Sequence, residues 1–162
     1  MRSILFLSIL LILSACSQQS WDTQKLQAQV DSLNTKLNDT YKPGLGEFMT
    51  DIQLHHAKLW FAGINKNWEM ADFEMHEIGE ALDDIKKYCA DRPEVKSIGV
   101  IDPALKSINE AIKQKDIQSF KQGFIALTAN CNNCHKSNQH GFNAIIIPTA
   151  SPVVNQDFKP AK

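Results

Sequence analysis

Residues 116–135 read DIQSFKQGFIALTANCNNCH, and one face of that stretch sets the architecture. Asp116 is a residue type that caps helices, because its short carboxylate can accept from the free N–H groups of a first turn. After it, Ile117, Phe120, Phe124, Leu127, Cys131 and Cys134 recur at intervals of three and four. That is the period of a helix burying one stripe. The two cysteines continue the stripe, so what they hold should lie inside a helical core rather than on a loop.

Upstream, the same period repeats between breaks. Leu45, Phe48, Met49, Ile52, Leu59 and Trp60 predict a helix ending at Gly63. Asn65 or Asn67 should cap the next, whose stripe runs Trp68, Ala71, Met75, Ile78, Leu82, Ile85 and Cys89 before Arg92-Pro93 ends it. Asp102-Pro103 reads as a cap and first turn, with Leu105, Ile108 and Ile112 forming a shorter helix. The expected fold is all-α: an antiparallel four-helix bundle over residues 44–138. An anchor and helical stalk (16–43) precede it and an extended tail (139–162) follows. In the stalk, Leu26, Val30, Leu33 and Leu37 make a two-heptad seam. Residues 22–41 could pair two copies of the chain or lie against the bundle. Pro43-Gly44 breaks the helix there. The tail carries Ile145, Ile146 and Ile147, then Pro148 and Pro152, with no helical period, and is expected to wrap over apolar surface.

Cys131-Asn132-Asn133-Cys134-His135 spells C-x-x-C-H, the attachment signature of a c-type haem. Thiols three positions apart on a helix can both form thioethers to one porphyrin edge, and the next imidazole is held under the iron. The cofactor expected is one covalent haem c, with Cys131 and Cys134 as anchors and His135 as proximal ligand. A zinc site would need further ligands, and no second C-x-x-C or H-x-x-x-H is present. A thioredoxin-type dithiol would need a βαβ setting. Cys89 is left over, and on its apolar stripe it reads as a small buried hydrophobe.

Haem attachment of this kind requires export, and residues 1–15 supply the layout. Arg2 precedes an apolar run from Ile4 to Leu13, too short to span a bilayer, and Ser14-Ala15 lead to Cys16. Leu13-Ser14-Ala15-Cys16 resembles a bacterial lipobox, which would make Cys16 the lipidated first residue of the mature chain. The alternative is a plain signal peptide cut near Ala15. The expected location is the bacterial cell envelope, lipid-anchored and facing the periplasm, with Ser17 resembling an outer-membrane sorting context. The formal net charge of −1 gives no reason to expect nucleic acid as a partner.

Four amphipathic helices with C-x-x-C-H at the end of the last resemble the cytochrome c′ family and related four-helix cytochromes, over residues 44–138. Two departures stand out: the motif in that family lies near the chain end, whereas here His140 to Lys162 follow, and the family lacks a lipidated extension. The stretch from His56 to Gly63, HAKLWFAG, is also similar to uncharacterised bacterial cytochrome-like proteins and assigns no activity.

In an antiparallel bundle the opening turns of the helix from Leu45 face Cys131 to His135. Met49 is then the best-placed distal iron ligand, as in the related b-type cytochromes; His56, two turns on, is the alternative. The first functional expectation is a membrane-anchored electron carrier that meets a redox protein. The second, implied by the resemblance, is a five-coordinate protein binding small gases such as nitric oxide. A peroxidase would need a distal acid–base or cationic pair, for which the candidates are His55, His56 and Lys58. His76, between Glu74 and Glu77, reads as surface, as does the acidic series Glu74, Glu77, Glu80, Asp83 and Asp84. His140 is too near His135 in sequence to reach the opposite face, and reads as surface or haem edge.

Overall fold

The computed structural model describes residues 21–37, 39 and 43–161, which divide into two units at Lys42–Pro43. The first unit is a helix over residues 21–37, here α1, whose seam residues Leu26, Val30, Leu33 and Leu37 are all exposed. The second contains α2 (Leu45–Ile64), α3 (Trp68–Tyr88), a 3₁₀ segment (Pro93–Ile101), α4 (Asp102–Gln114) and α5 (Ile117–Ser137). The described residues are all helix, turn or irregular chain, without strands. No helix among them is long and apolar enough to cross a membrane. The lipobox and Cys16 lie outside the described residues.

The helix ends follow local chemistry. The Asn67 side chain accepts from Met70 N, and Asp116 accepts from the N–H groups of Gln118 and Ser119, so both predicted caps form. Lys115 turns α4 into α5 in a left-handed conformation, φ 54°, which lets Asp116 N–H bond back to Ala111 O. One expectation fails at the other junction. The chain from Pro93 forms a 3₁₀ run. Asp102 does not cap α4, because the backbone is already helical at Ile101 and Asp102 N–H donates to Gly99 O. The 3₁₀ turns feed straight into the α-helix, leaving no extended residue from which a cap could act.

α2 packs along α3 and α4 along α5, with further contacts of α5 to α2 and to the 3₁₀ segment. The buried stripes are those that the periodicity marks: Leu59, Ile78, Ile85, Ile108, Phe120, Phe124 and Leu127 are almost fully enclosed. Gly63 is part of this fit. A Cβ there would lie 2.1 Å from the Phe120 ring, so only glycine lets that ring cross α2. Cys89 is buried, its thiol shifted upward chiefly by burial, as suits a small hydrophobe.

The tail after α5 has no regular structure, yet it is packed. Ile147 and Val153 sit against the core, Phe158 is buried against Phe61 with ring centroids 5.6 Å apart, and Asn67 Nδ2 donates to Lys159 O. Ile146 instead faces outward, 70% exposed.

One reading of α3 is corrected. His76 is exposed beside Glu80, as expected of a surface residue. Glu74, however, is 0% exposed. His55 Nδ1 lies 2.6 Å from its Oε2, and Lys58 Nζ lies 2.7 Å from Oε1, close enough for an ion pair although off the hydrogen-bond direction. Position 74 is adjacent to the core residue Met75 on the α2-facing side, and the Lys58 ammonium and the His55 ring from α2 together make burial of the charge tolerable.

Candidate functional site

A cavity of about 260 Å³ opens where four parts of the chain meet. α2 contributes Leu45, Met49, Ile52 and His56, and α5 contributes Cys131, Cys134 and His135. The α3–α4 connection adds Arg92, Glu94 and Ile98, and the start of the tail adds Asn138, His140, Asn143 and Ile145. Every residue singled out as an anchor or iron ligand therefore borders one space.

Cys131 and Cys134 are both free thiols and partly buried. Burial, with the neighbouring Cys134 adding to it, pushes the Cys131 thiol up to about 11. Burial also raises Cys134, against a weak bond from Asn138 Nδ2, 3.6 Å from its Sγ. Both are thus protonated and held three residues apart on the last turns of α5, facing the cavity.

His135 is oriented by the tail. Its Nδ1 lies 2.6 Å from Asn143 O, and a carbonyl can only accept, so Nδ1 carries the hydrogen. In the neutral ring, the Nε2 lone pair is then left for a metal, the arrangement that a metal-binding imidazole requires. His140 N–H bonds back to His135 O and its ring lies 3.2 Å from Glu94 Oε1. His140 is thus an edge residue of the cavity. The Arg92 guanidinium holds the Glu94 carboxyl down to about 2, aided by Glu94's own backbone N–H and by His140.

On the facing helix, Met49 is half-buried against the core, and its thioether has no hydrogen-bond partner among the described residues. His56 is 3% exposed and differently engaged. Thr128 Oγ1 donates to Phe124 O, so the hydroxyl accepts from His56 Nε2–H at 2.9 Å. The His56 ring also packs on Phe124, centroids 4.3 Å apart. Burial lowers its pKa from 6.5 to about 4, so the ring is neutral at physiological pH. His55 and Lys58, the other candidates for a distal pair, turn to Glu74 and do not line the cavity.

The His56 shift has a consequence for acid stability. Between pH 6.5 and about 4 the unfolded chain takes up a proton that the folded chain refuses, so stability falls as pH falls through that window. The slope from this one group is at most about 1.4 kcal/mol per pH unit. In the haem-free protein, urea midpoints should drop more steeply from pH 6.5 to 4 for wild type than for His56→Gln. Equal slopes would show that His56 is not the buried neutral group.

Sequence periodicity does not reveal Arg92, Glu94, Asn138 or Asn143, because each reaches the site from a 3₁₀ segment, a helix end or a turn, outside the apolar stripes. Thr128 did carry a signal: it sits four residues after Phe124 and three before Cys131, a hydroxyl on an otherwise apolar stripe. Among the described residues no three or more His, Cys, Asp or Glu side chains converge as the donor set of a bare metal ion. No protein-family model, curated protein or solved structure matches the chain.

Proposed function

We propose that the chain is a monohaem c-type cytochrome of the bacterial cell envelope, working as an electron carrier. The observation that carries this reading is the meeting of the C-x-x-C-H residues with a cavity whose opposite wall offers Met49 and His56. The residues fit the group: two thiols on one helical face, an imidazole with Nε2 free, and apolar walls from Leu45, Ile52 and Ile98. Cys131 and Cys134 would hold the haem and His135 would ligate its iron. A bound haem supplies a one-electron iron couple. His135 and a residue of the facing helix would hold the iron, while the apolar walls would exclude water and keep the surroundings rigid.

Met49 is the favoured distal ligand. For His56 to ligate through Nε2 it would have to break its bond to Thr128 and leave a buried hydroxyl short of a partner. Met49 gives up nothing comparable. The four-helix, antiparallel arrangement of 44–138 belongs to this reading, supported by the packing of α2 on α3 and α4 on α5 and by the place of the cavity. Export and lipidation at Cys16 complete it, resting on residues 1–16. The exposed seam of α1 is available to a second copy of the chain through residues 22–41, and the carrier's partner would be a redox protein.

Optical spectroscopy of the purified protein tests the assignment. Wild type should be low-spin, with the weak long-wavelength ferric band expected of a His/Met pair. Met49→Ala should lose the band and open the iron to carbon monoxide. Loss of low-spin character only in His56→Ala would put histidine in the distal position. A wild type that is high-spin and takes carbon monoxide at once would replace the carrier with a gas-binding protein.

A further inference from the structure

The first spacer residue of the C-x-x-C-H motif is bonded to chain that lies beyond the motif. Asn132 Nδ2 donates to Ile145 O at 2.8 Å, and Ile145 N–H donates to Asn132 Oδ1 at 2.8 Å. The side-chain amide thus pairs with a backbone position thirteen residues on, as a neighbouring strand would. Two residues before Ile145, Asn143 O receives the hydrogen of His135 Nδ1. Between motif and clamp the chain makes one tight turn, closed by Asn143 N–H to His140 O at 2.9 Å.

Without the clamp little would hold that carbonyl in place. Asn143 is exposed, and the flanking Phe142 is 85% exposed, so no apolar burial fixes the segment. On the near side the fastenings are the end of α5, where Asn138 and His140 N–H groups bond back to Cys134 O and His135 O, the His140 ring on Glu94 and the Asn143 N–H on His140 O. On the far side the Asn132 pair comes first, ahead of Ile147 on the core. Without the Asn132 pair the far side is held only from Ile147 on, which leaves the carbonyl room to swing away and exchange its bond for water.

We infer that Asn132 is a positioning residue for His135: by pinning Ile145 it holds the Asn143 carbonyl against Nδ1–H and so fixes the tautomer and direction of the imidazole. The bond to a carbonyl also makes the ring a stronger donor to a metal at Nε2, which stabilises the oxidised ion. Asn132 does not itself line the cavity, and acts through Ile145 and Asn143, which do.

This inference rests on the haem reading only for its effect on iron, so its test has a haem-free arm. In haem-free full-length protein, at mildly alkaline pH, the ring ¹³C and ¹⁵N shifts of His135 should report the Nδ1–H tautomer. Asn132→Ala should move the ring toward Nε2–H, the form favoured by imidazole in water, with the thermal melting curve nearly unchanged. Asn132→Asp, which keeps the acceptor for Ile145 N–H and loses the donor, should fall between. In the haem-loaded protein, Asn132→Ala should shift the reduction potential upward, and free imidazole should displace the proximal ligand 10–100-fold more readily, the usual loss when an outer partner of a metal ligand is removed. Wild-type ring shifts in Asn132→Ala, or an Nε2–H ring in wild type, would overturn the proposal. If wild type takes up no haem, the functional reading fails while the ring shifts still decide the role of Asn132.

Discussion

Replacing Cys131 and Cys134 together by alanine is expected to leave a chain with no covalent haem. Both thiols face the cavity from one side of α5, and no other thiol lines it among the described residues: Cys89 is buried elsewhere, and Cys16 lies outside them. The check is a denaturing gel stained for haem, after expression with the c-type maturation system and separation into detergent and aqueous phases. Wild type should give one stained band in the detergent phase. The double variant should give protein without stain. Cys16→Ser should keep the stain but move it to the aqueous phase if Cys16 carries the anchor and Cys131 and Cys134 the haem. Stain persisting in the double variant would end the cytochrome reading; detergent partitioning of Cys16→Ser would end the lipoprotein one.

The largest effect on folding is expected from Phe124→Ala. Phe124 is 0% exposed and joins three aromatic neighbours: Trp60 at 4.9 Å, Phe120 at 6.1 Å and His56 at 4.3 Å between ring centroids. Helices meeting through rings of this size cannot close over the missing one, so transfer and cavity costs add. The loss should be about 3–5 kcal/mol, lowering the melting temperature by on the order of 10–20 °C for a domain of this size. The hole would open beside His56, admit water and let its pKa rise from about 4 toward 6.5. Calorimetry of the haem-free protein and NMR titration of His56 read the two effects separately. A loss under about 1 kcal/mol would mean that the surrounding rings repack, and that Phe124 does not hold the face behind the site.

The two expectations differ in how much of them was legible in the sequence. The C-x-x-C-H spacing and the stripe from Ile117 to Cys134 name the thiols and set them on a buried helical face, because both are periodic and local. The same holds for the ends of α2 and α3, for the caps Asn67 and Asp116, and for an irregular tail. Helix periodicity could also bring Met49 and His56 toward Cys131, since short connections constrain which helix ends can meet.

The rest depended on contacts between residues distant in the chain. Glu74 reads like its acidic neighbours along α3, and only the approach of His55 and Lys58 from α2 makes it a buried ion partner. Nothing in Arg92-Pro93 says that 3₁₀ turns follow, or that Glu94 comes to face His140 across the cavity. Thr128 and His56 are 72 residues apart in sequence, and which nitrogen of His56 is engaged is settled by a hydroxyl whose own hydrogen is already given to Phe124 O. Asn132 is the sharpest case. As a spacer in a motif it looks interchangeable, yet its amide pairs with Ile145 and the adjoining turn brings a carbonyl to His135. Local spacing decided what chemistry the chain carries. Tertiary structure alone decided how each polar group is satisfied, because a buried donor or acceptor takes its partner from whatever the packing brings within about 3 Å.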